Sequence, residues 1–262
     1  MTASLLMFLA AGLVGGLLLG MIGVGMALVA VPFLSFVLPR FGIPAEAVPL
    51  TAVATSMGIV AVGSVSSAIA HNRRGNVAWS LVKTILPFGL AGMALGSLVA
   101  PLLPGVALRW TFVSFLLFVA IGMLRPARAA TAAPAQTSNA RYRTTGAFIG
   151  VAGSLIGAGG GVFMVPFLDS RGHPMATAVA TSTVIGLPVT VLGTLLYAAQ
   201  PSGLDNPMLL GHVYLPAFLG IGLGSVLTAP LGARLASKVP GGVLKRGFAI
   251  VLLILAARLA ME

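Results

Sequence analysis

Glycines and hydroxyls, rather than acids or histidines, are the residues here whose types and spacing could do chemistry. Gly157-Ala158-Gly159-Gly160-Gly161 interrupts the apolar stretch Gly146 to Leu168, GAFIGVAGSLIGAGGGVFMVPFL, and Gly23-Val24-Gly25 interrupts Gly12 to Leu34, GLVGGLLLGMIGVGMALVAVPFL. A glycine break in an apolar helix bares N–H and C=O groups that, inside a bilayer, must be met by protein, water or a bound solute. Helices restarting after Gly25 and Gly161 would aim unpaired amides and positive dipole ends at one point, which suits an anion. Glycine also lets backbone come close to a ligand. Thr51, Thr55 and Ser56 follow the first break, and Thr177, Thr181, Ser182 and Thr183 the second. Such neutral donors suit a site that must both bind and release an oxyanion. The expected binding set is Gly23, Gly25, Met26, Thr55, Ser56, Gly157, Gly159, Gly160, Gly161, Thr181 and Ser182. The competing reading is structural: glycines let helices touch, and buried hydroxyls bond back to their own helix. For Gly12, Gly16, Gly146 and Gly150, at four-residue packing spacing, the structural reading is preferred.

Other chemistries find little support. Glu46, Asp169, Asp205 and Glu262 all lie at segment ends or in loops, so no carboxylate is placed to relay protons or hold sodium at mid-depth. Lys83 and Arg109 lie inside apolar segments, where they attract an anion or snorkel to the interface. His71, His173 and His212 share no metal-ligand spacing, and no metal or other cofactor is expected. The absence of cysteine excludes thiol chemistry and disulfides. An intramembrane serine protease is disfavoured, because Ser154 has no Gly-x-Ser-Gly context and no histidine sits mid-segment.

The elements that must position these residues are membrane helices. Hydrophobic residues make up 58% of the chain and charged residues 7%, with mean hydropathy +1.08. Runs of about twenty apolar residues recur throughout, which fits spanning helices rather than an alternating barrel. The start, MTASLLMFLA, lacks the basic residues and cleavage site of a signal peptide, so the first segment is expected to be retained. A net charge of +11 could attract nucleic acid, but the bases are scattered through short loops and read as orientation signals beside anionic lipid.

Sliding the second stretch back 134 places lays Gly146, Gly150, Gly157 and Gly159 on Gly12, Gly16, Gly23 and Gly25, and Val165-Pro166-Phe167-Leu168 on Val31-Pro32-Phe33-Leu34. That is an internal duplication. Further matches follow in order: Ala54-Thr55-Ser56 with Ala180-Thr181-Ser182, Gly92-x3-Gly96-Ser97 with Gly220-x3-Gly224-Ser225, and Leu108-Arg109-x2-Phe112 with Leu244-Lys245-x2-Phe248. The organisation expected is a first transmembrane repeat over residues 1–124, a cytoplasmic linker over 125–143 and a second repeat over 144–262. The fold class expected is an all-α polytopic membrane protein of two homologous halves, each a Gly-broken helix or hairpin followed by three transmembrane helices.

Charge separates two topologies. If all eight segments cross once, eight bases fall on one side and seven on the other, which gives no orientation. If the opening segment of each half is a hairpin returning to its own face, the split becomes twelve to three, with only Arg40, Arg109 and Arg258 on the minority side. This second arrangement puts both termini outside and makes the halves inverted repeats, a transporter plan. Against it, the fifth segment, at about 25 residues, is also long enough for one tilted crossing.

The two Gly-rich copies ending in Val-Pro-Phe-Leu, each followed by an Ala-Thr-Ser segment, together with the His71-Asn72-Arg73-Arg74-Gly75-Asn76 loop and the Leu108-Arg109 start, resemble the TauE/SafE family, also called toluene sulfonate uptake permeases or sulfite exporters. The resemblance spans about residues 5 to 258. It implies a multi-pass inner-membrane carrier for small sulfur-containing or organic anions such as sulfite, sulfoacetate, thiosulfate or sulfonates. The first copy departs from the second, with Met26 and Ala27 in place of Gly160 and Gly161. The expected partners are therefore a small anionic substrate and the lipid bilayer, with no nucleic acid; an anion channel is the nearest rival. Substrate, coupling ion and oligomeric state are not written in the sequence.

Overall fold

The computed structural model describes residues 2–22, 26–124, 138–236 and 241–261. The first half contains α1 (Thr2–Ile22), α2 (Ala27–Val37), α3 (Val48–Arg73), α4 (Trp79–Val99) and α5 (Gly105–Leu124). The second contains α6 (Asn139–Ile156), α7 (Gly161–Asp169), α8 (Met175–Ala199), α9 (Leu215–Ala236) and α10 (Gly241–Ala260). Among the described residues the departure from an all-helical fold is a two-stranded hairpin between α8 and α9. There β1 (Leu209–Leu210) pairs antiparallel with β2 (Val213–Tyr214), Leu209 opposite Tyr214. Helix α6 begins five residues before the expected Thr144 because Ser138 caps it, its hydroxyl accepting from the Arg141 amide at 3.4 Å. Arg141 and Arg143 are thus helical rather than linker residues.

Each half opens with a helix that doubles back. In the first, Phe8 of α1 meets Phe33 of α2 edge-on at 6.4 Å, and Phe41 beyond α2 at 5.4 Å. In the second, Tyr142 of α6 meets Phe167 of α7 edge-on at 5.8 Å, and its hydroxyl is hydrogen-bonded to His173 Nε2 at 2.9 Å. Phe8 and Tyr142, and Phe33 and Phe167, are matched positions under the 134-residue shift. One aromatic pair therefore ties the base of both hairpins.

The halves then exchange partners. Helix α1 packs along α9, and α6 along α4; α3 meets α8, α5 meets α10, and α3 and α8 touch α9 and α4. Swapping the halves turns each of these contacts into itself or into another of the set. The glycine stripes explain the closest ones. A Cβ on Gly12 would stand 2.6 Å from the Ile221 carbonyl oxygen, and one on Gly16 would stand 2.5 Å from Ser225 Cα. A Cβ on Gly150 would stand 2.7 Å from the Met93 nitrogen. Lipid tails are as apolar as leucine, so such close backbone approach, with its dispersion contacts, holds membrane helices together. The matched Gly-x3-Gly-Ser motifs of α4 and α9 are the receiving side of these contacts.

The contacts also fix helix directions. Phe8 meets Gly220, Gly12 meets Ile221 and Gly16 meets Ser225, so α1 and α9 run the same way. Ile85 meets Gly146, Gly89 meets Gly150 and Gly96 meets Ser154, so α4 and α6 do too.

At the centre, α3 is buried at every residue from Leu50 to Ile59. Outside, Leu102, Phe148, Leu195 and Leu227 are each more than three-fifths exposed. A surface so apolar belongs against lipid. Val48–Arg73, Trp79–Leu102, Gly105–Leu124 and Met175–Ala199 are each long and apolar enough to cross a membrane.

Candidate functional site

The second glycine break is a four-residue reversal between α6 and α7. Gly157 ends α6 in the left-handed region (φ 76°), its amide donating to the Gly153 carbonyl at 3.0 Å. Gly160 starts α7 at the same φ of 76°, and its carbonyl accepts from Phe163 at 3.1 Å and Met164 at 2.9 Å. An L-residue would be strained by roughly 1–2 kcal/mol at either position, so the sequence can make this reversal cheaply only with glycine. From Arg143 to Gly157 the helix rises about 21 Å, which sets the reversal deep in a hydrocarbon core of about 30 Å.

Four elements wall it. The Ser56 hydroxyl of α3 donates to the Gly157 carbonyl at 3.1 Å. A Cβ on Gly157 would meet Val31 of α2 at 3.1 Å, and one on Gly159 would meet the Thr190 methyl of α8 at 2.8 Å and the Gly186 carbonyl at 3.2 Å. Gly160 abuts Ile149 of α6. Gly161 differs, because open space lies where its Cβ would stand. The amides of Gly161 and Val162 belong to the first turn of α7, ahead of any intrahelical acceptor. The site thus presents backbone donors, one open flank and a serine already committed to a carbonyl. Its polar groups are backbone amides and a hydroxyl, with no formal charge among the residues that wall it.

The other expected residues are placed as follows. Thr55 and Thr181 accept hydrogen bonds from backbone amides just before the third long helix of the opposite half: Tyr214 N–H to Thr55 at 2.9 Å, and Ala78 N–H to Thr181 at 3.0 Å. These matched hydroxyls pin α9 and α4. Ser182 donates back to the Ala178 carbonyl at 2.7 Å and to that of Val179 at 3.2 Å. Met26 is buried, and its carbonyl starts α2 by accepting from Val29 and Ala30 at 3.1 and 2.9 Å. Gly23 and Gly25 lie outside the described residues. Of the four expected hydroxyls, Ser56 is the one bonded to the described break. Thr51 is fully buried, and its Oγ1 has no partner among the described residues.

Val31, Val53, Gly186 and Thr190 complete the walls and were not singled out from the sequence. The signal available for one of them was Gly186-Leu187-Pro188, a glycine two residues before a proline within α8. Charges stay at the helix ends: Arg143 lies over the Phe88 ring at 5.6 Å and Arg171 over that of Phe167 at 5.4 Å. Among the described residues no three metal-ligating side chains come together.

A duplicated bundle of apolar helices, lipid-facing outside and reversed by glycine deep within, is a multi-pass membrane protein. Residues 8–259 match the family model described as sulfite exporter TauE/SafE, and the chain belongs to that family. It is 30% identical over 262 residues to a "Probable membrane transporter protein" of Haemophilus influenzae, covering 98% of each chain. A protein of the same description from Xylella fastidiosa is 29% identical over 240 residues, covering 88% of this chain and 87% of the other. No solved structure matches. Family and relatives agree on a membrane transporter.

Proposed function

We propose that the chain is a secondary transporter moving small sulfur-containing or organic anions, of the sulfite, sulfoacetate, thiosulfate or sulfonate class, across the inner membrane by alternating access. The observation that carries this reading is the Gly157–Gly161 reversal, buried at Gly157, Ala158 and Gly160 and half-buried at Gly159 and Gly161, with its uncommitted first-turn amides and the open flank at Gly161. Gly23, Gly25 and Met26 would supply the matching half-site, and Thr55, Ser56, Thr181 and Ser182 the surrounding hydroxyls. The walls that Val31, Val53 and Thr190 form around the reversal favour a carrier over an open channel.

An inverted relation between the halves is supported by helix direction. Ala78 meets Thr181, Gly89 meets Val189, Met93 meets Gly193 and Ser97 meets Gln200, so α4 and α8 run the same way. A five-residue turn (74–78) reverses the chain between α3 and α4. Helix α8 therefore opposes α3, its own counterpart. With both hairpins returning to their own face, three full crossings remain per half, and twelve of fifteen bases gather on the side assigned to the cytoplasm. Export is the favoured direction: with a negative interior, a leaving monoanion gains roughly 2.3 kcal/mol per 100 mV. Carboxylates confined to loops and helix ends agree with transport that needs no coupling cation.

The test is equilibrium binding of sulfite, sulfoacetate, thiosulfate, taurine and simple carboxylates to purified protein, followed by counterflow in proteoliposomes. Gly161→Leu fills open space without meeting a neighbour at Cβ, so it should fold and lose binding. Wild-type affinity in that variant would remove the assigned site.

A further inference from the structure

We propose that the last turns of α3 form a binding site for an anionic phospholipid, with the headgroup phosphate held by Arg73 and Arg74 and an acyl chain lying against Ser66, Ile69 and Ala70. These five residues line a cavity of about 460 Å³. Their spacing along the helix, at i, i+3, i+4, i+7 and i+8, places them on one face. The face leaves the bundle just here. Buried without interruption from Leu50 to Ile59, α3 has Ile69 49% exposed and Arg73 and Arg74 exposed. One turn earlier, open space stands beside Gly63, which extends the groove toward the bilayer interior.

Depth and charge select the occupant. Ser66 and Arg74 are eight residues apart, about 12 Å along the axis, so a polar head at the arginines leaves a tail beside Ser66. Trp79, 50% exposed and five residues past Arg74, marks headgroup level as interfacial tryptophans do. Guanidinium forks match phosphate oxygens in pairs, and no carboxylate lines the cavity. Thr55 with Tyr214, Gly58 with Phe218 and Val62 with Gly222 align α3 and α9 in parallel. A free phosphate would use the arginines and leave the groove above them empty. A phospholipid uses both. The choice of leaflet, but not the binding, rests on the cytoplasmic placement proposed above.

The experiment takes the full chain, delipidated in detergent, and titrates it with phosphatidylglycerol or phosphatidylcholine while native mass spectra and melting are followed. Phosphatidylglycerol should give retained one-to-one adducts and raise the melting temperature, whereas phosphatidylcholine should not. Arg73→Ala with Arg74→Ala should weaken phosphatidylglycerol roughly 30-fold, taking each interfacial base at about a kcal/mol. Ser66→Trp, which keeps both charges and fills the groove, should weaken it as well. Equal binding of the two lipids, an unchanged affinity in either variant, or an equal melting shift from inorganic phosphate alone would overturn the proposal. Circular dichroism checks folding, and if the double alanine variant fails to fold, Ser66→Trp decides. Sulfite binding measured on the same variants should stay at the wild-type level, which keeps failure here distinct from failure of the transport reading.

Discussion

His212 shows how a single residue couples the loop between α8 and α9 to the medium. It is buried beside β2, its amide donates to the Tyr197 carbonyl at 3.0 Å, and burial holds its imidazole below the ordinary 6.5. The folded loop keeps the ring neutral while the unfolded chain takes up a proton near pH 6.5. Stability from this residue is therefore complete above 6.5 and declines as the pH falls from 6.5 to the depressed folded value. Thermal melting in detergent between pH 7.5 and 5 should show the decline, and His212→Phe should reduce its slope; an unchanged slope would exclude His212 as its source. Residue roles were unevenly legible in the sequence. Gly157 and Gly160 announce themselves, since few other residues take φ near +76°. The hydroxyls do not, because a serine or threonine in an apolar helix has three partners open to it: its own backbone, another helix or a ligand. Ser182 takes the first, Thr55, Thr181 and Ser56 the second, and no pattern of neighbours distinguishes them.

Among elements, the hairpins and the glycine stripes are the parts that sequence periodicity reaches. The spacing of Gly12 and Gly16 reads as a close-packing stripe, and α1 indeed meets α9 through it. The partner is what the pattern hides: a stripe says that something comes close, and only the fold says that each first helix packs on the third long helix of the other half. A paired substitution tests the packing. Gly12→Leu drives a side chain into the Ile221 carbonyl, and overpacking of this kind costs roughly 1–3 kcal/mol. Gly15→Ala, in the same helix, meets only the Met26 methyl at 3.6 Å and a Val29 methyl at 4.0 Å and should melt close to wild type. Equal melting of the two variants would show that α1 does not rely on that contact.

For the whole molecule, duplication was legible because matched motifs recur in one order, and the exchange of partners gives those motifs their reason. A stripe on α1 must suit α9 and one on α6 must suit α4, so each half carries both a donor and a receiver. The direction in which the halves lie across the bilayer is a separate matter, set by charge rather than packing. Twelve bases against three favour both termini outside, because moving basic loops across the membrane is disfavoured. The chain has no cysteine, so single cysteines report without background. With a membrane-impermeant maleimide on intact cells, Ser4→Cys, Asp205→Cys and Glu262→Cys should label. Asn72→Cys and Ala130→Cys should label only after permeabilisation. Labelling of positions 72 and 130 from the same side as positions 4 and 262 would reject the hairpin topology. With it would go the inverted relation of the halves, since an even number of crossings per repeat cannot turn the second copy over.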